Sequence, residues 1–252
     1  MKRPGFTLIE LLIVIGVIAL ALAVSIPALW SSKQRAKTVL CGSNVKQLAM
    51  GLFMYETENE TFPYGFTHSP FVPPPGGYPG DPRRDRRGWW WFHCMKWYNV
   101  TDNSIFRCPS KSLTHPSFKN EILYSNYGVN RSICKVDEQP LPGSRDMPHP
   151  EQTLLIVDSG YSIIGWWHAT DVPPVPLGPG AEDAAYIPGL KINSDKSLLP
   201  EQKRDAIDGR HPGKTVNVGF ADGHAGREKA EDLFVEKLDD GYMNRTPLWL
   251  PK

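Results

Sequence analysis

The chain has 252 residues, 22% charged and 40% hydrophobic, with 24 Pro, 22 Gly and a formal net charge of +1. That length supports a sizeable core in one large domain or two small ones, and so much Pro and Gly argues for long loops and against a helical bundle. Lys2, Arg3 and Glu10 are the only charges in residues 1–30, so 26 of the 28 basic and 26 of the 27 acidic side chains lie in a neutral remainder; this argues against a nucleic-acid binder, and no nucleic acid is expected as a partner.

Phe6 to Leu29 contains one charge, Glu10. As a helix these residues would run about 36 Å, enough to cross a hydrocarbon core of about 30 Å with some tilt. A freely soluble cytoplasmic enzyme is therefore not expected. Ala21-Leu22-Ala23 would suit a cleaved signal peptide, and a plain membrane anchor is a second reading. Both leave two features unexplained. A carboxylate at Glu10 would cost roughly 2.5–3.5 kcal/mol in hydrocarbon, so it needs a partner. Pro27 sits deep in a helical pattern and should kink it.

Lys2-Arg3-Pro4-Gly5-Phe6-Thr7-Leu8-Ile9-Glu10-Leu11-Leu12 resembles the leader and cleavage motif of type IV prepilins and type II secretion pseudopilins. The resemblance implies a leader at 1–5, cut between Gly5 and Phe6 by a prepilin peptidase that then methylates the new amine. It implies that Glu10 pairs with the amine of a neighbouring subunit. It also implies a transmembrane helix at 6–29, a cytoplasmic N-terminus and an extracytoplasmic globular domain in a single-pass inner-membrane protein. Charge counting runs the other way: Lys33, Arg35, Lys37 and Lys46 follow the span, with no acid before Glu56. The positive-inside rule alone leaves the orientation open or reverses it, whereas processing requires the leader on the cytoplasmic side.

Beyond the span, Cys41, Val45, Leu48 and Leu52 are spaced 4, 3, 4, which predicts that the helix continues through 30–62 with one face on its own domain. Gly42-Ser43-Asn44 weakens it and suggests a bend. Residues 63–252 are expected to form an α+β domain. In it, Phe71 to Gly77 and 172–190 are Pro-rich loops, and Arg83–Arg87 precedes Trp89-Trp90-Trp91. Trp89 to Asn99 reads as a short helix burying Trp90, Trp97 and Phe92 or Trp91. Ser104–Cys108 reads as a strand, and Thr153–Asp158 as a central strand turning through Asp158-Ser159-Gly160 into Tyr161–Trp167. Val216, Val218 and Phe220 share a strand face, and Asp222-Gly223 signals a two-residue type I′ turn into His224. The fold class is α+β: a long helix packed on an antiparallel sheet with large loops.

Cys41 to Gln47, Cys108-Pro109-Ser110, Tyr127-Gly128-Val129-Asn130, and Arg210-His211 followed by Asp222-Gly223 resemble segments of a large pseudopilin-like bacterial family. That family spaces its His nine residues before Asp-Gly; here ten residues intervene. Four cysteines allow three full pairings. The resemblance, with Cys41 on the domain-facing stripe, implies a Cys41–Cys108 disulfide, and Cys94 and Cys134 then pair or stay free. His211 is expected to reach the Asp222-Gly223 turn in a structural role. His211, Asp222 and His224 could ligate a metal, but no metal and no cofactor is expected, and none of the common hydrolase, phosphate-loop or dinucleotide motifs occurs. The expected function is a non-enzymatic prepilin-like subunit with a prepilin peptidase, other prepilin-like subunits and the membrane as partners. The alternatives are a tethered module binding DNA or polysaccharide through Arg83–Arg87 and Trp89–Trp91, and a secreted metal-dependent hydrolase.

Overall fold

The computed structural model describes residues 7–67, 89–98, 102–111, 126–136, 140–174, 185–196, 198 and 200–250. α1 spans Leu8–Asn59, 52 residues in one helix of about 78 Å. Thr7 caps it: its Oγ accepts the Glu10 N–H, and the Glu10 carboxylate accepts the Thr7 N–H at 2.8 Å. Glu60, in the left-handed region at φ 63°, ends it. The helix runs through Pro27 and through Gly42-Ser43-Asn44 without interruption.

In chain order follow β1 Phe66–Thr67, β2 Trp89–Trp90, α2 Trp91–Cys94, β3 Tyr127–Asn130, β4 Leu154–Asp158, β5 Ile163–Ile164, α3 Pro200–Asp208, β6 Thr215–Phe220, β7 Ala225–Lys229, β8 Lys237–Leu238 and β9 Gly241–Tyr242. The main sheet has the order β5-β3-β4-β6-β7; β1 pairs with β2, and β8 with β9. Its pairs are antiparallel except β3 with β5, which run parallel. The fold is α+β.

α1 lies on this sheet against β6, β4 and β7. Thr38, Cys41, Val45, Leu48, Ala49, Gly51, Leu52 and Glu56 form its buried stripe. Close approach is possible because the sheet presents Gly219 there: a Cβ on it would stand 2.7 Å from both Ala49 Cβ and Ile156 Cγ2. Gly42 does the same service from the helix side, since a Cβ there would stand 3.1 Å from Asn217 Oδ1. Gly42 thus marks a contact, not a bend. Asn217 and Gly219 face α1, while Val216, Val218 and Phe220 point to the other side and are buried as well. The strand is covered on both faces, where the alternating pattern had indicated one.

Several local expectations give way to tertiary structure. Asn103–Phe106 is a 3₁₀ turn, not a strand: Asp102 accepts the Ser104 N–H at 2.8 Å, so this backbone is satisfied locally instead of in a ladder. After β4 the chain makes no hairpin. Ser159 donates its N–H to Asn126 O and Gly160 to Tyr186 O, which carries the chain past β3 to pair β5 with it in parallel. The 89–98 segment is a strand, one helical turn and a 3₁₀ turn, with Trp90, Trp91, Phe92 and Met95 buried; the Trp97 side chain is outside the described residues. Ala221, Asp222 and Gly223 form a three-residue loop between Phe220 and His224. Gly223 N–H bonds Phe220 O, Phe220 N–H bonds His224 O, and only Gly223 has a positive φ, 86°. A three-residue loop of this kind needs one left-handed residue, where a type I′ turn needs two.

Candidate functional site

Two places draw together the residues singled out in the sequence. The first is the start of α1. Gly5 and Phe6 lie outside the described residues, and Glu10 stands exposed in the first turn. Its carboxylate also accepts the Thr7 hydroxyl at 2.7 Å, so in the single chain it is held by its own helix cap. From Leu8 to Leu29 the large apolar side chains are exposed, among them Leu8 at 76% and Val24 at 72%. Among the described residues α1 is the one helix long and apolar enough to cross a membrane, and no part of that apolar stretch is buried. It fits a single-pass membrane anchor.

The second place is a buried polar node under the second half of α1. Cys41 and Cys108 are joined by a disulfide, S–S 1.99 Å, that ties α1 to the segment after the 3₁₀ turn. His211 Nε2 lies 3.7 Å from Cys108 Sγ. Its partner is Asp158 Oδ2 at 3.1 Å, not Asp222. With its proton on Nε2 the ring donates to that oxygen, which also accepts the Asn217 backbone N–H at 2.6 Å and the Asn217 Nδ2 at 3.0 Å. Asp222 instead pairs with His224, both partly exposed at the hairpin tip. The two ends of the His–Asp-Gly signature thus belong to two different structures.

Arg210 completes the node and spends every donor. Its Nε and Nη2 clamp Asp205 at 3.1 and 2.8 Å, Nη1 reaches Asn126 O and Asp158 Oδ1, and Nη2 reaches Ser159 O. Burial alone would push Asp205 up; the charge and hydrogen bonds of Arg210, with Lys111 and the Tyr186 hydroxyl, outweigh it and hold Asp205 at about 2. Tyr186 donates its hydroxyl to Asp205 at 2.7 Å. Burial, reinforced by Arg210 and only partly offset by Asp205 and Asp158, brings Lys111 down to about 7. Through Asp158, Asn217 and Arg210 these bonds tie β4, β6 and the 210–211 segment together. The node shows the features of a structural clamp. Cys41, Cys108 and His211 are the one metal-ligating trio among the described residues, and its two sulfurs are bonded to each other, leaving no thiolate to ligate.

Four of the resembling segments thus converge: Cys41 to Gln47, whose Asn44 reaches the Tyr127 hydroxyl of β3; β3 itself; Cys108-Pro109-Ser110; and Arg210-His211. Asp158, Asp205, Asn217 and Gly219 were missed. The available signal was Asp158 itself, a carboxylate closing a wholly apolar strand, which a buried position obliges to find partners. The DNA- or polysaccharide-binding alternative loses two of its three tryptophans. Trp90 and Trp91 are fully buried, with Trp91 Nε1 donating to Ser162 O at 2.9 Å; Arg83–Arg87 lies outside the described residues.

Residues 1–26 match the family described as the prokaryotic N-terminal methylation motif. The chain is prepilin-like. Over 62 residues it is 31% identical to the type II secretion system core protein G of Pseudomonas aeruginosa, a match covering 25% of this chain and 44% of that protein. The match thus spans a quarter of this chain and less than half the length of that relative. No solved structure matches the chain.

Proposed function

We propose that this prepilin-like chain is a structural, non-enzymatic subunit that is cut between Gly5 and Phe6, methylated, and assembled with other prepilin-like subunits. The assembly would be a pilus-like filament or a machine of the type II secretion kind. The observation that carries this reading is the apolar stretch of α1, which begins inside the methylation motif and has no part buried by its own chain. Such a surface needs another apolar partner: lipid before assembly, and the corresponding helices of other subunits after it. Outside the span the face of α1 turned from the domain still exposes Leu40, Met50 and Met54, extending the same surface outward. Glu10 would exchange its own cap for the amine of a neighbour, a charged partner that answers its cost in hydrocarbon. On this reading the leader stays cytoplasmic and residues 63–252 face outward.

Mass spectrometry of the mature protein tests this: the expected N-terminus is a methylated Phe6, and a start at Val24 would overturn it in favour of ordinary secretion. Glu10→Ala should leave membrane insertion unchanged and lower assembly, measured by crosslinking between subunits.

A further inference from the structure

α1 leaves its apolar stretch at Leu29, and Trp30 follows at once, 66% exposed. Lys33, Arg35 and Lys37 come next, about 6–12 Å beyond Leu29 along the axis. If residues 8–29 fill the hydrocarbon layer, that places Trp30 at the interface, where tryptophan is enriched, and the three cations at headgroup level. Lys33 and Arg35 are exposed and Lys37 is half-buried, and none has an ion-pair partner among the described residues. The nearest acid in the following sequence, Glu56, is buried and spends a carboxylate oxygen on the Ser144 N–H at 2.9 Å. Translocation does not account for this cluster, because Lys and Arg beside a span favour the cytoplasmic side and the proposed orientation turns these outward.

The angular spread of the cations points to their partner. At about 100° per residue, Arg35 stands roughly 200° around the helix from Lys33, and Lys37 roughly 40° from it. They make a collar, not a stripe. A neighbouring helix would meet only one side of such a collar, whereas a bilayer surface surrounds it.

We propose that Lys33, Arg35 and Lys37, with Trp30 at the interface, form a collar that binds anionic phospholipid headgroups of the outward-facing leaflet and sets the depth of α1 in the bilayer. This rests on the proposed orientation of α1. Each cation held near an anionic surface gains several-fold in association at low salt, and the gain falls as the Debye length shortens.

The test uses the full chain in phosphatidylcholine vesicles carrying a trace of spin-labelled phosphatidylglycerol or spin-labelled phosphatidylcholine. The readout is the motionally restricted fraction of each lipid in the electron spin resonance spectrum. We expect phosphatidylglycerol to be enriched about threefold at low salt and much less in 0.5 M NaCl. Lys33→Gln/Arg35→Gln/Lys37→Gln should lose at least about half of that enrichment. Lys203→Gln/Arg204→Gln/Lys229→Gln, which removes three exposed cations from the domain, should lose none; Lys2 and Arg3 remain in every variant as a common background. Equal restriction of the two lipids by the wild-type chain, or full enrichment in the collar variant, would overturn the proposal and leave the membrane reading standing. No restricted lipid of either kind would overturn both.

Discussion

The two halves of α1 share one backbone and differ in everything that surrounds it. From Leu8 to Trp30 the large apolar side chains are exposed; from Thr38 to Glu56 a stripe of eight residues is buried on the sheet. Helical geometry is common to both, so it is not the cause. The first half is apolar all round and offers the domain no preferred face, as a lipid-facing or multiply packed helix does. The second is apolar on one side only, and that side meets a strand cleared of side-chain bulk at Gly219. Around Gly16 a Cβ would meet nothing within 4 Å; at Gly219 it would collide with helix and sheet together. One helix thus does two jobs: the second half stabilises the fold, and the first is left for partners outside it.

This contrast can be broken deliberately. The largest effect should come from Cys41→Ala/Cys108→Ala, which opens a cross-link closing a 67-residue separation. The chain-entropy model gives a loss of about 4 kcal/mol, read from urea unfolding of the domain, while co-flotation with vesicles should not change. A loss of flotation as well would mean that the halves are coupled.

Paired truncations sharpen the point. Leu48→Ala removes a fully buried side chain and should cost about 3 kcal/mol. Ile15→Ala, on a half-exposed side chain of the first half, should change domain stability by less than about 0.5 kcal/mol. Equal effects in thermal denaturation would show that the first half also packs on the domain.

The smallest effect is a pH dependence confined to the second half's side of the molecule. Asp205 is held at about 2 in the fold, below the ordinary carboxylate value of about 3.9. Its contribution, about 2–3 kcal/mol, is therefore complete above pH ~5 and is lost progressively as pH falls through about 2. Asp205→Asn should flatten the acid limb of the stability curve between these values and leave vesicle association untouched. An acid limb unchanged in the variant would place the acid-sensitive group elsewhere.

Much of the architecture was legible along the chain because its signals are local. A run of apolar residues without period, a 4-3-4 stripe after it, and an apolar strand at 154–158 each declare themselves within a few turns or residues. Two of the local expectations that failed had competing partners far away in sequence. Asp158 looked like the first residue of a hairpin turn and is the centre of an ion cluster with Arg210, His211 and Asn217. His211, near the Asp222 turn in sequence, faces the other way. Trp89 to Asn99 looked like one short helix; Trp90 is buried as expected, but the segment is a strand, one helical turn and a 3₁₀ turn.

Hydrophobic period by itself determined that α1 is one long helix, which face of its second half meets its own domain, and that its first half has no such face. Only the tertiary structure decided which buried charges hold one another and which strand follows which in the sheet. The reason is physical: burial of apolar surface is non-directional and can be read from spacing alone. A buried carboxylate, by contrast, is tolerable only where donors from distant segments arrive at hydrogen-bonding distance.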